Sequence, residues 1–369
     1  MKLIYHFSLI VLMLTFSCVE RYEFPITDDG RTGLVVEGFV SDLSYSDIQS
    51  MPLDQRYFTI TLRESNAISS QSIKPVTGAH VELVSDANEF WDYAESGDGI
   101  YTLYYDDLKI DPNKKYKVSI TLSDGNSFES SFESAPAVSP VGKTAMIETF
   151  ETVYETQGGE TVITTEEAIQ INLDLPVVQP ATETLYAKWD FLTTFGVRAR
   201  FVDSPNDIRY KCWATSIYEN PGFLMYQGKG GGVSKMFTVL LTNEELHDGY
   251  STLIRQQSMN KEGFLYWSDI QKQTEQADLF APPPYNLISN ITAVNSDTPV
   301  FGYFGVVREQ YYRWNFMKSD LSKPFPYPEA LTRSCELAFE PSRVCFDCRE
   351  FSGLGITNNP NQPWWWSAN

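Results

Sequence analysis

Hydrophobic and polar positions alternate through most of this chain, and the period is two far more often than the 3.6 of a helix. Leu34 to Val40 and Tyr57 to Leu62 read as half-buried strands on either side of a polar loop, Ser41 to Gln55. Lys74 to Val84, Ile100 to Tyr104, Tyr116 to Leu122 and Ser127 to Phe132 follow, punctuated by turns at Gly97-Asp98-Gly99 and Asp124-Gly125. About seven short strands in about 100 residues is the count of an immunoglobulin-like sandwich, which the pattern predicts over residues 33–135. Pro136 and Pro140, set among small residues, mark a break. The domain boundary is placed there, as a protease-sensitive hinge between two independently cored β domains.

Beyond the break, Ile147 to Thr156 and Thr161 to Leu173 form a long hairpin through Gln157-Gly158-Gly159. Leu185 to Leu192, Val197 to Val202, Tyr210 to Tyr218, Phe237 to Leu241 and Tyr250 to Ser258 continue the strands. The period then changes. Phe264, Trp267, Ile270 and Gln271 share a helical face, Asn260 stands where a cap belongs, and Glu262 suits the positive end of the dipole, so a helix is predicted near residues 261–276. Pro282, Pro283 and Pro284 end it, and Val300 to Val307, apolar with small glycine gaps, reads as a strand crossing a packed core. The fold class is therefore mainly β: an N-terminal sandwich over residues 33–135, then a larger β-rich domain over residues 136–369 with one amphipathic helix.

The N-terminus carries a different signal. Lys2, the apolar run Leu3 to Phe16, and Ser17 before Cys18 resemble a bacterial lipoprotein signal peptide, residues 1–17, with Cys18 as the lipidated residue. Residues 18–32 are polar, aperiodic and read as a tether. No other stretch reaches the ~18 apolar residues of a spanning helix, so the expected contact with the membrane is the lipid anchor.

Charge removes one class of function. A formal net charge of −20 repels phosphate backbones, which excludes nucleic acid as a partner. Glu148, Glu151, Glu155, Glu166 and Glu167 lack the spacing of a calcium loop and read as a solvated hairpin face. Gly228, Gly230, Gly231 and Gly232 around Lys229 do not make a phosphate loop and are read as a hairpin end. His80, within a strand, has no sequence neighbours that complete a ligand set, so no metal and no cofactor are expected. Besides Cys18 there are Cys212, Cys335, Cys345 and Cys348, an even number consistent with two disulfides in an exported chain, their pairing left open. A zinc site or a redox motif at Cys345-x-x-Cys348 is disfavoured, because no second pair or following helix accompanies it.

Two resemblances join these observations. The pattern Pro75-Val76-Thr77-Gly78-Ala79, with the later Tyr116-x-Val118-x-Ile120, looks like the prealbumin-type modules of secreted proteins. Leu34-Val35-Val36-Glu37-Gly38, Pro282-Pro283-Pro284-Tyr285-Asn286, Val300-Phe301-Gly302-Tyr303-Phe304, Cys345-x-x-Cys348-Arg349 and Pro363-Trp364-Trp365, in that order, are similar to the Bacteroidota lipoproteins of domain-of-unknown-function family 4249. That resemblance implies an accessory or substrate-binding role beside a TonB-dependent outer-membrane transporter, at the cell surface and without assigned catalytic residues. On the residues themselves the chain is read as a non-enzymatic binding protein, with Tyr311, Tyr312, Trp314, Trp364, Trp365 and Trp366 as candidate aromatic contacts and its ligand unidentified. A free-standing adhesin is the alternative. A glycan or peptide hydrolase is disfavoured, since no G-x-S-x-G or H-E-x-x-H occurs.

Overall fold

The computed structural model describes residues 33–65, 74–137, 139–180, 182–217, 222–275, 289–325, 338–353 and 355–366, with residues 287 and 335. The leader, Cys18, the tether and the Pro282 to Pro284 corner lie outside the described residues. The chain is mainly β, with 49% in strands and 10% helical, as the alternation predicts. Among the described residues no helix is long and apolar enough to cross a membrane.

The first unit comprises β1 (Leu34–Ser41), β2 (Phe58–Glu64), β3 (Lys74–Pro75), β4 (His80–Ser85), β5 (Phe90–Gly97), β6 (Ile100–Leu103), β7 (Lys115–Thr121), β8 (Ser127–Ser130) and β9 (Glu133–Ser134). A four-residue helix α1 (Tyr45–Ile48) interrupts the expected polar loop, closed by a capping box in which Ser44 and Asp47 satisfy each other's backbone. β5 carries no apolar alternation because only Tyr93 of its residues is buried, and for that reason the pattern does not reveal it.

The second unit begins with a hairpin of β10 (Lys143–Gln157) and β11 (Glu160–Leu175), followed by β12 (Leu185–Arg198), β13 (Lys211–Ser216), β14 (Phe223–Gly228), β15 (Gly232–Leu240) and β16 (Tyr250–Ser258). Helix α2 (Lys261–Glu275) follows, then β17 (Ile291–Ala293), β18 (Val300–Asn315) and β19 (Ile356–Asn359). Asn260 caps α2, its Oδ1 accepting from Gly263 N at 2.8 Å. Where two strands are expected between residues 185 and 202, one continuous β12 is found. Its interior threonines break the apolar pattern yet are satisfied: Thr193 bonds Thr252 and Thr194 bonds Thr215, both at 2.9 Å.

The glycine cluster is not a hairpin end, because β14 pairs with β12 whereas β15 pairs with β11 in a separate sheet. Gly230 and Gly231 take φ of +66° and +73° there. They let the chain cross between layers against the Pro176 carbonyl, where a side chain on Gly230 has no space.

Strands run in one path ordered β17-β8-β7-β4-β5-β6-β2-β1-β18-β16-β12-β13-β19, and β10-β11-β15 form a second, three-stranded sheet. β18 joins the two units. Its first half, Val300 to Val307, lies parallel to β1, and its second half, Arg308 to Asn315, lies antiparallel to β16. Ile291, Phe304 and Val306 enter the core of the first unit beside Val36, Ile60 and Tyr101. That core is therefore completed by residues far beyond 135. A second core, around Ile171, Trp189, Phe237, Ile254 and Trp314, fills the space between the three-stranded sheet and one face of β12, β16 and β18. The expected hinge is tied down at its end: the Pro140 carbonyl accepts from Gln256 Nε2 at 3.1 Å and from Tyr312 Oη at 3.3 Å, and Ser139 bonds Ser258 at 3.1 Å.

Candidate ligand-binding face

β12, β16 and β18 pair so that Asp190 stands opposite Arg255 and Arg255 opposite Tyr311, while Lys188 stands opposite Gln257 and Gln257 opposite Glu309. Alternation puts all six side chains on the face turned away from the second core. Lys188 Nζ reaches Asp190 Oδ1 at 2.7 Å, and Arg255 donates to Asp190 Oδ2 through Nη2 at 2.7 Å and Nε at 3.2 Å. The ladder is closed from above by Arg56, whose Nη2 donates to Glu309 Oε1 at 2.5 Å and to the Tyr311 hydroxyl at 2.7 Å. The Phe39 ring lies under both guanidiniums, with centroids 5.0 Å from Arg56 and 5.5 Å from Arg255. From α2, Trp267 covers Lys188 at 4.2 Å.

Burial sets the electrostatics of this ladder. It penalises the Asp190 carboxylate, but Arg255 and Lys188 outweigh that cost and hold the group below the ordinary aspartate range. The Lys188 ammonium is pushed down by burial against the pull of Asp190. Tyr311, buried and facing Glu309, is raised to about 12 and stays a neutral donor.

Two segments distant in sequence roof the face. The first runs from Leu43 to Arg56, where Ile48 and Leu53 pack on Leu253, with Leu192 and Tyr311 at the edge. The second is the C-terminal tail. Its Trp365 stacks 3.5 Å from the Arg313 guanidinium and donates through Nε1 to Asp54 Oδ1 at 3.4 Å, so it clasps the first segment. Burial lowers Arg313 to about 10. Between roof and sheet lies a cavity of about 440 Å³ bordered by Arg56, Asp190, Leu192, Ile217, Arg255 and Tyr311. Arg56, Lys188, Arg255 and Arg313 are the cations of this region, and Asp54, Asp190 and Glu309 its carboxylates. Of these, Arg56 and Arg255 border the cavity together with Asp54 and Asp190, so its own charges balance within a chain of net charge −20. Planar donors on apolar walls suit a small ligand that carries carboxylate or hydroxyl groups.

A neighbouring cavity of about 530 Å³ is bordered by Lys211, His247, Asp248, Tyr250, Lys318 and Trp366. Lys211 Nζ is committed to the Asp248 carbonyl at 2.9 Å. Burial lowers both Lys211 and His247.

The candidate aromatics divide. Tyr312 and Trp314, 8% and 7% exposed, point into the second core, so they are packing residues and leave the set of contact candidates. Tyr311 belongs to the ladder. Trp364 is 60% exposed, whereas Trp365 and Trp366 are half-buried in the roof and the neighbouring cavity. The cysteines pair as Cys212–Cys348 and Cys335–Cys345, so Cys345 and Cys348 belong to different bridges. The first anchors the tail to β13, beside β19, which pairs with that strand.

Sequence reading misses the ladder. Lys188-x-Asp190, Arg255-x-Gln257 and Glu309-x-Tyr311-x-Arg313 have the period-two polarity of a solvated face, and only the cover on both sides of the sheet makes them interior.

The family model described as "Domain of unknown function (DUF4249)" matches residues 19–313. The chain belongs to this family. A comparison with curated proteins finds no match. In this DUF4249 chain the matched span takes in the whole charged ladder and the first roof segment, and it stops before the disulfide-bonded tail that bears Trp364, Trp365 and Trp366.

Proposed function

We propose that this DUF4249 protein is a non-catalytic substrate-binding or accessory lipoprotein, anchored through Cys18 on the outer face of a Bacteroidota outer membrane and serving a TonB-dependent transporter. The observation that carries the binding part is the roofed cavity. Its walls are three paired strands, its donors are guanidiniums fixed by carboxylates, and its roof is clasped by Trp365, so little reorganisation accompanies capture of a ligand. The anchor and the transporter rest on the lipoprotein-like leader and on the family resemblance.

Affinity purification from detergent-solubilised outer membranes, with mass spectrometry of what co-elutes, tests the assembly. A TonB-dependent transporter is expected to co-elute with the wild type. Elution of the protein alone in mild detergent, with and without candidate nutrients, overturns the transporter role and leaves a free-standing surface binding protein.

A further inference from the structure

Outside the cavities, one cluster of side chains combines donor chemistry with geometry. His80 and Glu82 lie two residues apart on β4, and Asp92 on β5 is the register partner of Glu82, so all three project from one face. His80 Nε2 is 3.1 Å from Asp92 Oδ1, and His80 Nδ1 is 3.9 Å from Glu82 Oε2. One ligand atom from each of the three falls within 4.8 Å of the others. The sequence shows His80 without partners because Asp92 arrives through strand pairing, which spacing does not display.

We propose that His80, Glu82 and Asp92 form a surface site for a first-row divalent transition metal, with Zn²⁺ as the model ion. Three features carry this. Two carboxylates directly opposite on adjacent antiparallel strands repel each other, so the pair calls for a countercharge. Among the described residues the basic group within ion-pair distance of both is His80, whose exposed ring is the countercharge at hand. A divalent cation supplies it fully. Next, the imidazole nitrogen is a donor that suits zinc, copper, iron and nickel, and zinc also accepts carboxylate oxygens, so the mixed set favours these metals over all-oxygen calcium or magnesium. Last, the backbone is fixed while the side chains are free to adjust. β4 is paired on both sides, by β5 and β7, and Val81, Leu83 and Tyr93 bury the opposite face. His80 and Asp92 are themselves exposed, which leaves coordination positions for water or for a donor from another molecule.

A bound ion takes one nitrogen of His80, so the imidazole must give up one of its two carboxylate contacts and turn. Both carboxylates then meet at the metal instead of at opposite edges of the ring.

Isothermal titration of the full chain with ZnCl₂, and separately with CaCl₂, tests the site. Wild type is expected to bind one equivalent of Zn²⁺ that His80→Ala and Asp92→Asn each weaken at least tenfold, with Ca²⁺ at least tenfold weaker than Zn²⁺. The melting temperature without metal should be the same in all three proteins, because the replaced side chains are exposed; with Zn²⁺ it should rise in wild type alone. Absence of Zn²⁺ binding, or binding of equal strength in wild type and both variants, overturns the proposal and leaves His80 as an ion-pair partner of the two acids.

Discussion

Gly302 stands opposite Val36 in the parallel pairing of β1 with β18, and its φ of +100° turns the place of a side chain into the Val36 backbone. A Cβ there would meet the Val36 carbonyl oxygen and lie 2.7 Å from its carbonyl carbon. This is the seam between the two units. Gly302→Ala is expected to cost about 1–3 kcal/mol for the backbone conformation alone, and more because β18 must move away from β1. Denaturant midpoints of variant and wild type measure it; an unchanged midpoint would show that the seam is slack.

The same seam predicts how the chain can be divided. Residues 33–135 alone lose β17 and the β1 partner on β18, and with them Ile291, Phe304 and Val306 from the core. An eight-residue strand would be left with an open edge. This fragment is expected to lack a cooperative unfolding transition, and addition of a peptide spanning residues 289–307 to restore one. Cooperative unfolding of the fragment alone, by circular dichroism, would contradict the seam's role.

Asp190 neutralises Lys188 and Arg255 at once, so Asp190→Asn leaves two mostly buried cations without their carboxylate. Breaking a buried pair in this way costs about 3–5 kcal/mol. The pH dependence has a definite sign. Because the folded carboxyl is held below the ordinary value, its contribution is complete above about pH 4 and is lost as pH falls through the lower native value. Wild type should therefore lose stability on acidification through that window more steeply than Asp190→Asn. Parallel acid profiles for the two proteins would remove Asp190 from the account.

Much of the strand inventory is legible because burial on one face leaves alternation, as in β1, β2 and β7. Helix α2 is legible from its face and cap, although its buried side is led by Tyr266, which the expected set omits. What is not legible shares one cause. β5 is exposed on most of its length, the Thr193 and Thr194 hydroxyls are satisfied only across strands, and the ladder from Lys188 to Glu309 is interior only because Leu43 to Arg56 and the tail cover it. Each is decided by which faces other segments cover or leave open, with partners 21 residues away for Thr194 and 59 for Thr193, whereas periodicity reports only the local pattern.

The two disulfides should separate by the length of chain they close. Cys212–Cys348 spans 136 residues and Cys335–Cys345 spans 10. By loop-closure entropy the first contributes about 5 kcal/mol and the second about 2.7 kcal/mol, before any relaxation of the folded state. The first also fastens the 3-10 turn Cys348–Glu350 and β19 to β13, behind the clasp of Trp365 on Arg313 and Asp54. Cys348→Ser, paired with Cys212→Ser so that no free thiol remains, is expected to lower stability by more than Cys335→Ser/Cys345→Ser. It should also loosen the roof, which hydrogen exchange would read as loss of protection in residues 43–56 with little change in β4 and β7. Equal stability losses in the two double variants, or a roof as protected as in wild type, would show that the tail is held by strand pairing alone.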